Sequence, residues 1–192
     1  MFKIFFYINE LNDIQKENLN QLKNINIIYR NYKKNNYIKN AINLSKYCKK
    51  RKFKLYVSND DKLAVKINSY GLYLPSFNKQ KNYIKSNLHI IGSAHNEIEL
   101  RKKIKQGCRE IFISPVFNTN SGFKKTGKGL NFYRNFALKF SNTKIHALGG
   151  INHKNLKKII FSKGCGFSSI SMIDKKMNKH LIAYLNLIAT NL

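Results

Sequence analysis

The sequence predicts a single α/β domain, spanning residues 1–192, in which eight strand and helix units close into a compact (βα)8 TIM barrel. The chain of 192 residues can bury one substantial core but leaves little room for two domains. Eight short apolar runs alternate with amphipathic segments along nearly its whole length. This alternation requires a parallel sheet with crossover helices, and eight units is the number at which such a sheet closes. An open, doubly wound sheet is the competing architecture.

The first part of the chain contains four predicted strands. Its opening apolar run could be mistaken for a secretory leader, but the run is short and no small-residue cleavage site follows, so we interpret it as a strand. Apolar residues at helical spacing, such as Ile14, Leu19 and Leu22, predict the first helix. The predicted strands are residues 1–10, 25–30, 53–57 and 71–74, and the predicted helices are residues 12–23, 37–51 and 61–68.

The second part continues the alternation with four more strands, nearly every one of which is followed by a helix. Because the chain is short for a barrel, its loops are expected to be brief. The predicted strands are residues 88–92, 111–115, 145–148 and 167–172, and the predicted helices are residues 96–106, 130–140, 154–162 and 176–188.

The strong positive charge does not by itself identify a partner. The chain carries 36 Lys and Arg residues against 9 Asp and Glu residues, a formal net charge of +27. These cations are spread evenly, which is typical of drift in coding composition. Their field would attract anionic ligands, whether phosphorylated metabolites or nucleic acid. The lack of a recognised nucleic-acid-binding motif, and of a basic stripe interleaved with aromatic residues, disfavours nucleic acid.

The cysteines predict a reducing compartment. Cys48, Cys108 and Cys165 are few, odd in number and far apart, without the spacing of metal ligands. This pattern argues against a disulfide framework or a structural zinc site. We therefore predict a cytoplasmic protein. No run approaches the roughly 20 apolar residues that span a bilayer, so no membrane partner is predicted.

Polar and glycine residues follow most of the predicted strands. In a TIM barrel the chemistry takes place at the carboxyl ends of the strands, so these residues are expected to crowd one rim. They are Arg30, Asn59, Asp60, Ser93, His95, Thr119, Gly149, Gly150 and Ser171, and the apolar Ile170 stands beside Ser171.

A glycine pair after the seventh strand predicts an anion site. Gly149 and Gly150 end an apolar run and precede a lysine-rich helical segment. Glycines permit positive φ and close approach of a ligand, and the first N–H groups of the next helix are free donors. Phosphate sites in barrels use the loops after strands seven and eight, which here also supply Ser171. The alternative is an ordinary strand-to-helix turn. Arg30, costly to bury without an anionic partner, adds to the expectation of an anionic ligand.

Six short segments, taken in order, resemble the thiamine-phosphate synthase and TenI family. Each segment alone is weak, but six in order at compatible spacing are specific to the family. The resemblance implies a TIM barrel whose ligand is thiazole phosphate or thiamine phosphate, and it allows a homo-oligomer. The segments are residues 29–30, 70–75, 91–95, 113–119, 147–151 and 171–173.

The synthase branch of this family implies a reaction with Mg²⁺. In it a thiazole nitrogen attacks the methylene carbon of a pyrimidine pyrophosphate, and Mg²⁺ held between two aspartates neutralises the departing pyrophosphate. Asp60, preceded by Asn59, lies where the first aspartate is expected. Phe77 and Asn78 stand where the second is expected, so the metal site is incomplete. One carboxylate together with substrate phosphates can still hold Mg²⁺, although more weakly.

The family's lysine after the sixth strand is also displaced. Thr119 and Ser121 are in place, but Lys124 and Lys125 come later than the resemblance requires, and a flexible loop would have to bring them back. This glycine- and lysine-rich loop is interpreted either as a lid over a phosphorylated ligand or as a solvated basic loop. Ile28 and Tyr32 replace the usual glutamine and lysine beside the arginine.

The TenI branch implies a proton shift on a thiazole carboxylate phosphate and needs no metal. His95 is suitably placed because histidine titrates near neutral pH and can transfer protons. Its alternative role is to cap or pack at the start of a helix. The cysteine that assists in such tautomerases should lie on an early strand, and none does.

These considerations favour a divergent synthase, with a tautomerase as the alternative and a non-catalytic anion or nucleic-acid binder as a third hypothesis. Asp60 and the lysine loop are more naturally explained by a pyrophosphate-handling ancestor than by a proton shuttle. The predicted catalytic residues are His95, Lys124 and Lys125, and the predicted metal ligand is Asp60. The predicted substrate- and phosphate-binding residues are Arg30, Asn59, Ser93, Thr119, Ser121, Gly149, Gly150, Ile170 and Ser171.

Overall fold

The computed structural model describes residues 2–31, 36–80, 87–119, 126–162 and 164–191. In this part of the chain, eight parallel strands form a closed barrel in which each strand pairs with its sequence neighbours and the eighth pairs with the first. The predicted TIM barrel is therefore confirmed. The strands are β1 (Lys3–Ile8), β2 (Ile25–Tyr29), β3 (Lys54–Ser58), β4 (Gly71–Leu74), β5 (His89–Ala94), β6 (Glu110–Ile113), β7 (Lys144–Leu148) and β8 (Gly166–Ser169).

Seven helices in the described residues surround the barrel. Most begin at a polar residue whose side chain accepts a hydrogen bond from a free amide of the first turn, as Asn96 does from the amide of Glu99 at 2.9 Å. None of these helices is long and apolar enough to cross a membrane. The helices are α1 (Asp13–Asn20), α2 (Tyr37–Arg51), α3 (Asp61–Lys66), α4 (Glu97–Lys105), α5 (Leu130–Lys139), α6 (Leu156–Ile160) and α7 (Lys179–Asn191).

Several predicted strand ends differ from the structure, and two of the differences affect the site. β5 continues to Ala94 because Ser93 and Ala94 pair with β6, so Ser93 lies inside the strand. β8 ends at Ser169, and Ile170 therefore lies in the loop that follows. β6 ends at Ile113, before Pro115, which has no N–H to donate to a ladder.

The interior of the barrel is filled by large side chains that alternate with outward-facing ones along each strand. The rings of Phe5 and Phe112 meet edge to face with centroids 4.9 Å apart, and Tyr7 and Tyr73 do so at 5.5 Å. The opposite faces of the strands pack against the helices in a second apolar layer. Since the interior is closed, ligands have access only to the two ends of the barrel.

A buried charged cluster lies at the amino end of the barrel interior. Glu110 is 1% exposed, forms an ion pair with Lys3 and is hydrogen-bonded to the imidazole of His146. His89 lies beside it, with Nε2 at 3.4 Å from Oε1 of Glu110. The partners compensate for the cost of burying this carboxylate, so the cluster closes the amino end of the barrel.

Candidate active site

A cavity of about 410 Å³ opens at the carboxyl ends of β7 and β8. Five of the predicted binding residues line it: Thr119, Gly149, Gly150, Ile170 and Ser171. Three loops, those after β6, β7 and β8, contribute these residues. The loops meet there because the strands that carry them are neighbours in the barrel. The structure thus brings the expected phosphate-binding segments together.

The two glycines at this cavity hold a tight turn against the loop after β6. Gly149 has φ of +96° and Gly150 has φ of +67°, a region that other residues rarely adopt. A Cβ on Gly150 would lie 2.3 Å from the carbonyl oxygen of Asn118, and one on Gly149 would lie 2.8 Å from Cα of Pro115. From the sequence, these glycines were expected to allow close approach of a ligand. The structure adds that their missing side chains make room for neighbouring backbone.

Backbone donors and one hydroxyl are available around the cavity. The amides of Gly150, Ile170 and Ser171 donate to none of the described residues. Ser171 is exposed, and its hydroxyl makes no hydrogen bond to any residue that the structure describes. Oriented amides with no internal acceptor are the usual ligands of a phosphate group.

Three side chains that sequence reasoning missed stabilise this turn. The side-chain amides of Asn152 and Asn155 donate to the carbonyl oxygen of Gly150 at 3.3 and 2.9 Å. The hydroxyl of Ser169 donates to the carbonyl oxygen of Ile151 at 3.2 Å and joins the end of β8 to the loop after β7. The sequence signal was the cluster of asparagines after Gly150, since asparagine commonly bonds to nearby backbone in turns.

Arg30 and Ser93 lie at the same end of the barrel, near its axis. The guanidinium of Arg30 stands 4.6 Å from the ring centroid of Tyr7. The hydroxyl of Tyr73 donates to Oγ of Ser93 at 2.8 Å, and Ser93 is 5% exposed. Neither Arg30 nor Ser93 lines the 410 Å³ cavity. Both predicted residues therefore belong to the central part of the rim.

His95 is half-buried just before α4, and hydrogen bonds of its ring and of its backbone amide fix its position. Its Nδ1 lies 2.8 Å from the carbonyl oxygen of Ser114, and its amide donates to Glu99 at 2.7 Å. A carbonyl oxygen only accepts, so Nδ1 carries the proton and the neutral ring has its lone pair on Nε2. That nitrogen makes no hydrogen bond to a described residue. His95 can thus accept a proton, although it does not line the 410 Å³ cavity.

Lys128 is a rim cation that the sequence analysis did not select. Its ammonium group donates to the carbonyl oxygen of His95 and lies 4.8 Å from the ring centroid of Phe132. Its backbone amide donates to Pro115 at 2.9 Å, which fixes this part of the loop after β6. The predicted residues Ser121, Lys124 and Lys125 lie outside the described residues.

Asn59 and Asp60 follow β3, as expected, but their side chains are already bonded to protein groups. Oδ1 of Asp60 accepts from the amide of Leu63 at 2.8 Å and caps α3. Burial raises the pKa of Tyr37, and a hydrogen bond with Asp60 raises it further. Oδ1 of Asn59 accepts from Nδ2 of Asn78 at 2.5 Å. An amide, Asn78, therefore stands where the resemblance places the second carboxylate, and it bonds to Asn59 rather than to Asp60.

Asn78 is itself fixed by a buried lysine behind it. Lys103 is 1% exposed, and its ammonium group donates to the carbonyl oxygen of Asn78 at 2.9 Å and to Gln106 at 2.8 Å. Nε2 of Gln106 donates in turn to Oδ1 of Asn78 at 3.2 Å. In the described residues, no group of three or more His, Cys, Asp or Glu side chains is placed to hold a metal ion. The donor set does not fit a magnesium site built on paired carboxylates.

Comparison with known proteins gives a consistent family. A family model described as thiamine monophosphate synthase matches residues 11–175. The chain is 30% identical over 165 residues to a thiamine-phosphate synthase of Prochlorococcus marinus, covering 82% of this chain and 46% of that protein. It is 31% identical over 134 residues to that of Pelagibacter ubique, covering 67% of this chain and 63% of the relative. The chain spans about half the length of the Prochlorococcus protein.

Solved structures agree in fold. Thiamine phosphate pyrophosphorylase from Pyrococcus furiosus superposes with a TM-score of 0.77 at 17% identity and covers 98% of this chain and 95% of its own. The enzyme of the same name from Bacteroides thetaiotaomicron gives a TM-score of 0.62 at 19% identity, with coverage of 98% and 95%. At these identities the likeness concerns the barrel alone.

Proposed function

This chain belongs to the thiamine monophosphate synthase family, and from that premise we propose that it is a transferase of thiamine biosynthesis. It joins a thiazole phosphate to a hydroxymethylpyrimidine pyrophosphate. The thiazole nitrogen forms a bond to the methylene carbon, while the bond from that carbon to the pyrophosphate oxygen breaks. The electron pair leaves on the oxygen. The products are thiamine phosphate and pyrophosphate.

The observation that carries this proposal is the cavity at the ends of β7 and β8. The amides of its lining residues Gly150, Ile170 and Ser171 donate to none of the described residues, and Ser171 adds a hydroxyl. Among the residues that the structure describes, no charged side chain lines it. We assign the phosphate of thiazole phosphate to these donors because backbone amides at a turn bind a phosphate without needing a counter-cation beside them.

The pyrimidine pyrophosphate would occupy the central part of the rim. Arg30 and Lys128 are the described cations assigned to it, and Asn59, Thr119 and Ser93 are the polar groups assigned to it. The predicted Lys124, Lys125 and Ser121 would add contacts from the loop after β6. Positive charge near the leaving oxygen stabilises the transition state because negative charge accumulates there. Since the described donors do not fit a paired-carboxylate magnesium site, no step is assigned to a metal.

One observation favours a thiazole tautomerase as the second candidate. Nδ1 of His95 is fixed by the carbonyl oxygen of Ser114, which leaves Nε2 as a proton acceptor. A positioned base of this kind is what a proton shift on a thiazole carboxylate phosphate requires. The incomplete metal site is compatible with this reaction because the reaction needs no metal.

Pyrophosphate release tests the proposal directly. Purified protein is incubated with thiazole phosphate and the pyrimidine pyrophosphate, with saturating Mg²⁺ and separately with a chelator, and pyrophosphate is measured. Release that needs both substrates supports the synthase. A protein that stays silent under both conditions is not a synthase. Conversion of the thiazole carboxylate phosphate that resists the chelator and is lost in His95→Ala identifies the tautomerase instead.

We further propose a cytoplasmic location and a homo-oligomeric state. Free thiols at Cys48, Cys108 and Cys165 support a reducing compartment. The oligomeric state follows from the family resemblance and is tested by light scattering. An anion-binding role without catalysis, whether toward nucleic acid or small anions, would instead show as salt-sensitive binding without turnover.

A further inference from the structure

A second and larger cavity, of about 680 Å³, lies at the amino end of the barrel. Its residues come from the last turn of α2, the starts of β3 and β5, and the segments that lead into β4 and β6. Because all eight strands are parallel, these positions share one end of the barrel, opposite the candidate active site. Its volume is within the range of small-molecule sites.

The lining of this cavity is cationic. Lys49, Lys54 and Arg109 come from three different elements, and no Asp or Glu lines the cavity. Within the described part of the chain, none of the three forms an ion pair with a carboxylate. The cavity at the ends of β7 and β8, by contrast, has no charged residue among the described residues of its lining. Positive charge is therefore concentrated in this cavity as well as spread over the surface.

An aromatic neighbour holds one of these cations, Lys54, in place. The ammonium group of Lys54 lies 4.6 Å from the ring centroid of Tyr70, a cation–π contact. The ring of Tyr70 lies 5.6 Å from that of His89 and meets the edge of Tyr56 at 5.5 Å. Lys54 is thus positioned at the cavity before any ligand arrives, which lowers the ordering cost of binding.

Two of these cations, Lys54 and Arg109, also act on His89, which lines the same cavity. Burial lowers the pKa of His89, and repulsion from Lys3, Arg109 and Lys54 lowers it further, against the opposite effect of Glu110. Glu110 is the nearest carboxylate, but Lys3 and His146 already pair with it. An anion entering the cavity therefore meets cations whose charge the protein does not neutralise locally.

We propose that this cavity binds the polyphosphate group of a small molecule through Lys49, Lys54 and Arg109. Three cations from separate elements, around one concave space, suit an anion that carries several charges close together. The guanidinium of Arg109 can bond two phosphate oxygens at once, while the two ammonium groups act as point charges. Free pyrophosphate and the polyphosphate of a nucleotide share this chemistry. The site is independent of the reaction proposed above.

The chain contains no tryptophan, which permits a local test. Tyr70→Trp places a single fluorophore at the edge of the cavity, where Tyr70 is 42% exposed. Phe161→Trp, at a side chain that is 82% exposed on another part of the surface, serves as the reference. We expect pyrophosphate to change the fluorescence of the first protein with saturation and to leave that of the second unchanged. This difference separates binding here from binding of pyrophosphate at the candidate active site.

Charge variants in the Tyr70→Trp background identify the cations. Lys54→Gln and Arg109→Gln should each weaken pyrophosphate binding at least tenfold, since each removes charge-assisted contacts. Lys102→Gln makes the same change of charge at an exposed position of α4 outside the cavity lining and should leave binding within twofold. Thermal melts confirm that each variant folds. No saturating response at millimolar pyrophosphate, or equal weakening by Lys102→Gln, would overturn the proposal.

Comparing the affinities of further ligands shows whether the cavity recognises a nucleotide or the polyphosphate group alone. ATP binding more tightly than pyrophosphate identifies a nucleotide, and equal binding identifies the polyphosphate group alone as the recognised element. Both results support the proposal. Citrate carries several carboxylates and no phosphate, so citrate binding as tightly as pyrophosphate would contradict the assignment to phosphate groups.

Discussion

Nε2 of His146 lies 2.7 Å from Oε2 of Glu110, and both side chains are almost completely buried inside the barrel. Nδ1 of the same imidazole has no hydrogen-bond partner among the described residues. A second proton on this ring would therefore be a buried donor without an acceptor. The neutral ring, which donates from Nε2 to the carboxylate, satisfies the geometry.

This pair predicts loss of stability in acid. Burial lowers the pKa of His146 against the effect of Glu110. Burial alone would raise the pKa of Glu110, but hydrogen bonds from His146 and Lys3 and the positive charge of Lys3 lower it below its usual range. Because the pKa values of His146 and Glu110 are lower in the folded protein than in the unfolded chain, the unfolded chain binds more protons as the pH falls. The free energy of unfolding should fall as the pH drops below about 6.5, and again below about 4.3, by about 1.4 kcal/mol per pH unit for each proton.

Urea unfolding at a series of pH values measures this slope. His146→Gln retains a donor for Glu110 but removes the titrating ring, so its stability should depend less on pH between about 6.5 and 5. His153→Gln, at an exposed position, should keep the parent slope. Equal slopes for the parent and His146→Gln would show that His146 does not control acid sensitivity.

Gly150→Ala should destabilise the fold more than Gly129→Ala. Both glycines have positive φ, and such a backbone conformation costs other residues on the order of 1–3 kcal/mol. A Cβ at Gly129 has nothing within 4 Å, whereas one at Gly150 would lie 2.3 Å from the carbonyl oxygen of Asn118. We expect an additional loss of at least about 1 kcal/mol for Gly150→Ala, measured by thermal or urea unfolding. Equal losses of stability in the two variants would mean that the loop after β6 moves without cost to make room for the new Cβ.

Ser171→Ala should weaken thiazole phosphate binding without affecting the fold. The hydroxyl is exposed and bonds to no described residue, so its removal leaves nothing unsatisfied. A lost hydrogen bond to a charged group costs about 1.5–3 kcal/mol, which is more than tenfold in affinity. Calorimetric titration measures the effect, and Ser141→Ala, exposed before β7, is the matched control. Unchanged affinity in Ser171→Ala would remove this hydroxyl from the site.

Asn78→Asp should increase the affinity for a divalent cation. The substitution places a second carboxylate beside Asn59 and Asp60, where the parent has an amide bonded to Asn59 at 2.5 Å. Carboxylate oxygens are the ligands that Mg²⁺ and Mn²⁺ prefer. We expect Mn²⁺ to bind at least tenfold more tightly, as detected by electron paramagnetic resonance. Asn87→Asp adds the same charge at an exposed position and should not reproduce the gain. A parent protein that binds Mn²⁺ as tightly as Asn78→Asp would refute this account.

The strand and helix pattern could be predicted because it depends on short segments. Alternating apolar residues specify which face of a strand is buried, and asparagine or aspartate before a helix supplies its first acceptor, as Asp60 does for α3. The order of the strands followed from the connections. The positive-φ turn at Gly149 and Gly150 was also visible, because only glycine adopts it easily.

The sequence alone determined the barrel, the position of its rim and the glycine turn, because each rests on residues close together in the chain. Only the tertiary structure decided that Asn59 bonds to Asn78, that Lys103 holds Asn78, and that three cations face one cavity at the opposite end. These relations join residues that lie far apart in sequence. They depend on strand register and on the direction in which each loop leaves the barrel, and periodicity carries no information about either.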